Sequence, residues 1–189
     1  MKTLQEIWDD LPLKSDKGDI HSYLPVYEEI LLPYRHTVRN VLEIGVFNGA
    51  SLIMWENYFY NAGVYGIDCD EQPHGGLADL RPLIAEGKYN IVIGDATSEA
   101  DIEKNFKGMF LDVIIDDGNH NTTSQLKSYE ILKKYLCDDG LYVIEDIQDI
   151  DKDRELFENI DPGKKVEILD RRHIKGRYDD VLVIIKDKQ

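Results

Sequence analysis

The chain has 189 residues, with 22 Lys and Arg against 37 Asp and Glu, giving a formal charge of -15. This length suits one domain with a sizeable core, and the acidic field repels phosphate backbones, which argues against nucleic acid as a partner. No apolar run reaches the roughly eighteen residues a bilayer span needs, and "MKTLQEIWDD" lacks the charged-then-apolar order of a signal peptide, so a soluble cytoplasmic protein with no membrane partner is expected. The two cysteines, Cys69 and Cys137, are far apart in no metal-like spacing and read as buried, reduced thiols.

In chain order, "YLPVYEEILLPYRH" carries apolar residues at helical spacing and is expected to pack across a sheet or fold over its crevice. Residues 1–39 thus read as an N-terminal helical extension or lid, and 40–189 as one compact domain. In that domain short β-rich runs alternate with helical stretches, the mark of βαβ units. The predicted strands are "NVLEIG" (40–45), "GVYGID" (63–68), "YNIVIG" (89–94), "LDVIID" (111–116), "GLYVIED" (140–146), "KVEILD" (165–170) and "DVLVIIK" (180–186). The predicted helices are 50–61, 77–86, 98–106 and 122–136, the third opening on Ser98 as a cap. Trp55, Tyr58, Phe59 and Tyr60 on or near the first of these read as packing residues. Only "RRHIKGRYD" separates the last two strands, too little for a crossover helix, so they pair as an antiparallel hairpin. The expected class is α/β: a Rossmann-like, doubly wound, seven-stranded sheet, mostly parallel, with an antiparallel C-terminal hairpin strand.

"VLEIGVFNGAS" ends a strand on Glu43 and turns at Gly45 and Gly49 into a helix, which lets backbone approach a ligand beside free helix amides. A dinucleotide fingerprint needs glycine where Phe47 stands, so a nicotinamide cofactor is disfavoured. The form E-x-G-x-x-x-G resembles motif I of class I S-adenosylmethionine (SAM) methyltransferases. That resemblance implies that Glu43, Gly45 and Gly49 form the cofactor turn. Asp68, closing the second strand, then stands where ribose hydroxyls are bound, and Asp95 in "GDATS" near the adenine amino group.

Two acidic strand ends follow. Strands 111–116 and 140–146 are expected to be neighbours, bringing Asp117, Glu145 and Asp146 to one corner of the crevice. Three carboxylates together raise one another's pKa unless a cation offsets them, and Mg²⁺ or a similar hard divalent ion is the natural occupant. His120, one loop turn away, suits a general base near neutral pH. Asp116 is placed beside the cofactor, or as an orienter of the metal ligands.

The set "IIDDGNH" and "VIED", with "KSDKGDIHSYLPVYEEIL", "VLEIGVFNGASLIMWENYF" and "VYGIDCD", resembles the metal-dependent macrolide sugar O-methyltransferases of the mycinamicin and macrocin group over residues 14–147. By position, the resemblance implies metal ligands at Asp117, Glu145 and Asp146, a base at His120, and an N-terminal motif in which His21 and Tyr23 close over the cofactor. It also implies a sugar or sugar-containing acceptor and a homo-oligomer. Asn119 departs from the family's common serine. Lys17 reads either as a solvated loop charge or as a lid contact, and Arg171, Arg172, Lys175 and Arg177 either as a solvated hairpin tip or as a grip on an anionic sugar. Competing readings are a catechol-type O-methyltransferase, a SAM-binding hydroxylase-associated protein of the cephalosporin-pathway type, and a non-catalytic SAM-binding subunit.

Overall fold

Seven strands form a single sheet in the computed structural model, which describes residues 1–69 and 90–188. They are β1 (Asn40–Ile44), β2 (Gly63–Asp68), β3 (Asn90–Ile93), β4 (Leu111–Asp116), β5 (Leu136–Ile144), β6 (Lys165–Asp170) and β7 (Val181–Lys186). Their order is β3-β2-β1-β4-β5-β7-β6, with β1 to β5 parallel and β7 antiparallel to both its neighbours. The C-terminal hairpin therefore docks through its second strand, not its first. β7 reads "VLVIIK" and is buried from Val181 through Ile185, whereas β6 is only partly covered, so burial selects the more apolar strand for the interior position.

Strand alternation sends successive residues to opposite faces, and each face has its own cover. On one face Val41, Val113, Ile115, Leu141, Val143, Leu182 and Ile184 pack with the N-terminal helices α1 (Leu4–Asp10) and α3 (Leu24–Leu31) and with α4 (Ala50–Tyr58). On the other, Leu42, Ile114, Tyr142, Ile144, Val183 and Ile185 meet α5 (Glu99–Phe106), α6 (Thr122–Leu132) and α7 (Ile150–Glu158). Leu4, Ile7, Tyr27 and Leu31 are in the core itself, so the N-terminal segment shares the core of the sheet. Trp55, Tyr58 and Phe59 pack there as expected, while Tyr60 is exposed.

Local capping explains the helix starts. Thr3 and Glu6 form a reciprocal capping box on α1, Ser98 accepts from Asp101 N at the head of α5, and Asn121 caps α6. Helix α7 lies in a stretch where the sequence analysis placed no helix; its signal is Asp149 as cap and the buried spacing Ile150, Asp153, Phe157. A four-residue helix, α8 (Arg172–Lys175), sits inside the C-terminal hairpin. The predicted helix 77–86 lies outside the described residues. Cys69 is exposed and Cys137 half-buried, correcting the expectation that both are buried: Cys69 follows the last residue of β2, where the chain has already left the sheet for the crevice.

Candidate active site

Chain direction across the sheet reverses between β1 and β4, and at such a switch point the two leaving loops part and open a crevice. Ile44 and Asp116 are register partners, and the chain stays close beyond them, with Asp117 N donating to Ile44 O at 2.9 Å. Gly45 has φ +82°, and a Cβ there would lie 2.0 Å from the carbonyl oxygen of Asp117, so only glycine permits this approach.

A cavity of about 570 Å³ fills the crevice, within the range of small-molecule sites. Gly45, Asp68, Asp95, Asp116, Asp117 and His120 all line it. Asp68 Oδ2 accepts from Val46 N at 2.7 Å and Phe47 N at 3.1 Å, strapping the glycine turn to the end of β2. Phe47, exposed in the cavity mouth, has φ +48°, an unusual conformation for a bulky side chain. Asp95 accepts from both Thr97 N (2.7 Å) and Thr97 Oγ1 (2.8 Å), shaping its own loop while Ser98 caps the helix. Asp116 is held by the Ser128 and Tyr142 hydroxyls, and burial pushes its pKa up to about 6.

Glu43 and Gly49 are not among the lining residues. Gly49, at φ +77°, is the N-cap of α4. Glu43 is fully buried behind the turn, accepting from Ser51 Oγ (2.7 Å) and Trp55 Nε1 (3.2 Å); burial raises its pKa to about 7 against the pull of Lys17. Tyr23 lies apart from the cavity too. Its hydroxyl donates to Asp146 Oδ1 at 2.7 Å and approaches Asp179 O at 3.1 Å, and its ring stacks on His21 with centroids 4.8 Å apart.

The acidic corner divides into two sets joined by Asp117. In one, His120 Nε2 is 3.2 Å from Asp117 Oδ1 and 3.7 Å from Asp146 Oδ2, and the three side chains offer donor atoms all within 4.8 Å of one another. In the other, the ammonium of Lys17 is 2.5 Å from Asp117 Oδ2, 3.1 Å from Glu145 Oε2 and 3.4 Å from Glu43 Oε1. Glu145 thus gives one oxygen to Lys17 and the other to the hydroxyl of Tyr27. Lys17 is fully buried and ion-paired, so it is not a solvated loop charge. The DKG stretch was the sequence signal for it, but nothing local named its three partners.

The electrostatics follow from these contacts. Burial works against the charged form of Asp117, yet Lys17 and His120 outweigh it and hold its carboxyl below the usual value. For His120, burial favours the neutral ring, but the hydrogen bond and charge of Asp117, with Asp146, raise its pKa overall. Burial, with the charge of Asp117, pushes Asp146 up to about 6 and raises Glu145 well above its ordinary value against the pull of Lys17. Both His120 and Asp146 have φ +56°, so backbone strain is concentrated at the corner, a pattern that marks sites where tertiary contacts impose geometry.

A second cavity, of about 510 Å³, shares Asp16, Asn119 and His120 with the first and is lined also by His21, Asp146, Gln148, Arg177 and Tyr178. The basic hairpin serves this wall. Lys175 Nζ donates to the carbonyls of Gly18, Asp19 and His21, Arg171 Nε to Ser22 O, and Arg172 pairs with Asp170 and Asp151. Arg177, the one member that lines the cavity, is paired with Asp179.

The chain is similar to known methyltransferases. The chain is 33% identical over 143 residues to the 8-demethyl-8-α-L-rhamnosyl tetracenomycin-C 2'-O-methyltransferase of Streptomyces olivaceus, covering 71% of this chain and 35% of that protein. It is 34% identical over 137 residues to the mycinamicin VI 2''-O-methyltransferase of Micromonospora griseorubida, covering 69% and 32%. The chain therefore spans about a third of the length of these curated relatives. The whole chain superposes on 54% of the MycE methyltransferase of the mycinamycin pathway, solved with Mg, SAH and mycinamycin VI, with a TM-score of 0.76 at 19% identity, a likeness of fold. The family model for the methyltransferase domain matches residues 42–147, from β1 through both acidic strand ends, and the chain belongs to that family.

Proposed function

We propose that this protein transfers a methyl group from SAM to a hydroxyl of a sugar or sugar-containing molecule, with a divalent cation at the acidic corner and His120 as the general base. The observation that carries the reading is the position of His120 in the wall shared by the two cavities, beside the buried Asp146 and the half-buried Asp117 carboxylates. The larger cavity is the donor side. Gly45 gives the backbone its close approach there, Asp68 and Asp95 offer carboxylates at strand ends, and the turn amides are already fixed.

The corner suits a hard cation. The buried Asp146, held up by burial and by the nearby charge of Asp117, and the half-buried Asp117, kept ionised by Lys17 and His120, are oxygen acceptors of the kind such a cation takes. Asp117 and Asp146 would hold the ion, with Glu145 as third carboxylate where Lys17 and Tyr27 yield it. A divalent cation there supplies Lewis acidity to an adjoining hydroxyl. With Nε2 donating to Asp117 Oδ1, His120 would take the acceptor's proton on Nδ1, and Asp117 would stabilise the imidazolium that results. The walls of the second cavity orient the acceptor oxygen toward the donor side, and such alignment accounts for much of the acceleration available to a displacement at an already activated methyl.

Arg177 is occupied by Asp179, and the acceptor side otherwise presents acids, amides, two imidazoles, a phenol and Ile20, which favours an uncharged glycosyl unit. The same acidity argues against a nucleic acid acceptor. A cytoplasmic setting and a homo-oligomer belong to the same reading. The test is SAH release from SAM over a panel of glycosides, catechols and nucleotide sugars, with Mg²⁺ and with EDTA. Metal-dependent turnover of a glycoside is expected; turnover confined to catechols, or SAH binding without any turnover, overturns the reading.

A further inference from the structure

Lys17 is a buried cation carried by a segment that precedes the sheet. It sits in the four-residue helix α2 (Asp16–Asp19), whose cap is Ser15 and whose carbonyls at Gly18 and Asp19 receive Lys175 Nζ. Trp8 Nε1 donates to Ser15 O at 2.8 Å, and the Ser22 hydroxyl donates to Asp180 Oδ2 at 2.8 Å, so the segment is pinned on both sides. From this mount the ammonium meets one carboxylate from each of three adjacent strand ends: Glu43 on β1, Asp117 after β4 and Glu145 after β5. Asp117 is the shared member. Its Oδ2 faces Lys17 while its Oδ1 faces His120, so the ammonium fixes the rotation of the carboxylate.

We propose that Lys17 is a positioning residue, a built-in counter-cation that turns Asp117 toward His120 and shares its carboxylate with the divalent ion, limiting how tightly that ion is held. The inference rests on the metal site of the proposed function but not on the identity of the acceptor. A positive charge on the far oxygen of a ligand lowers the attraction of the near one for a second cation, since like charges separated by one carboxylate interact strongly in a buried site. Lys17 therefore trades metal affinity for ligand geometry.

The test uses Lys17→Met, close in length but uncharged, and Lys17→Arg, which keeps the charge and alters its shape. Mn²⁺ binding is read by electron paramagnetic resonance, SAH binding by calorimetry, and methyl transfer as kcat and KM. For K17M we expect Mn²⁺ bound at least fivefold more tightly and kcat at least a hundredfold lower, with SAH affinity within threefold of wild type. For K17R we expect Mn²⁺ affinity within threefold of wild type and kcat reduced at least tenfold. A purely structural lysine would weaken Mn²⁺, SAH and turnover together. That pattern in K17M, or in K17R if K17M does not fold, overturns the proposal. Tighter Mn²⁺ binding by K17M in a protein that methylates no acceptor upholds the counter-cation and removes the sugar-methylation reading instead.

Discussion

Tyr23 and Asp146 stand 123 residues apart in the chain and are joined by a buried hydrogen bond of 2.7 Å from the phenol to Oδ1. This bond ties the N-terminal segment to the end of β5 and favours the ionised form of Asp146, opposing the burial that raises its pKa. Tyr23→Phe removes the donor and leaves a buried carboxylate oxygen short of a partner, at a cost of about 1–3 kcal/mol in stability. The Asp146 pKa then rises further, so divalent binding weakens more at pH 6 than at pH 8. Mn²⁺ titrations at the two pH values check this; equal weakening at both would refute it.

His120 holds a left-handed backbone, which asparagine tolerates better than alanine does, so His120→Asn removes the base with little added strain. Methyl transfer is expected to fall by about 10²–10⁴-fold, the usual worth of a general base. SAH affinity should stay within about threefold, because the turn that shapes the donor side is untouched. Transfer kept within tenfold of wild type would remove His120 from its role.

Asp68 ties the amides of Val46 and Phe47 to β2. Asp68→Ala gives up charge-assisted hydrogen bonds worth about 1.5–3 kcal/mol each and lets the turn relax. SAH affinity measured by calorimetry should drop about 10–100-fold, while Asp68→Asn, which still accepts, should fall between. An unchanged affinity in the alanine variant would show that the turn holds its shape by other means.

Two glycines at positive φ separate strain from collision. At Gly108, φ is +77° and a Cβ would meet nothing within 4 Å; at Gly45 it would strike Asp117 O. Gly108→Ala should cost about 1 kcal/mol, the backbone penalty alone. Gly45→Ala should cost about 3–5 kcal/mol, because β1 and β4 must part at the crevice. Urea denaturation of the two variants gives the comparison, and similar losses would mean that the Asp117 loop yields freely.

Raised carboxylate pKa values make the metal-free protein more stable at mildly acidic pH. Glu43 at about 7, with Asp116 and Asp146 at about 6, hold protons in the folded state that the unfolded chain has already released. Their contribution is complete below the unfolded values near 4 and is lost as pH rises through 6 to 7. His120, also raised, has the same sign, whereas the lowered Asp117 acts only below about 4. In EDTA the thermal midpoint should therefore be higher at pH 5.5 than at pH 8, and Mg²⁺ should narrow the gap by neutralising the corner. A midpoint that rises steadily from pH 5.5 to 8 in EDTA would contradict the assignment.

Much of this protein could be read from local pattern. Alternating and continuous apolar runs located the strands to within a few residues, because the two faces of a strand report their burial directly in the sequence. The turn at Gly45 and the acids after β4 and β5 were visible as polar residues at strand ends. Helix α7 was passed over because its charged face dominates the composition and only three buried positions mark it.

Strand order and charge partners were decided by the tertiary structure alone. That the run at 181–186 and not the one at 165–170 lies beside β5 is settled by competition for the buried position, which the more apolar run wins. Likewise, Glu145, Asp117 and Asp146 were nameable as an acidic corner, but that Glu145 faces Lys17 and Tyr27 while Asp146 faces Tyr23 depends on a segment more than a hundred residues away folding onto the sheet. Periodicity in a sequence records which side of an element is buried, a property of each residue alone. Pairing energy belongs to two residues at once and exists only when the chain has brought them together.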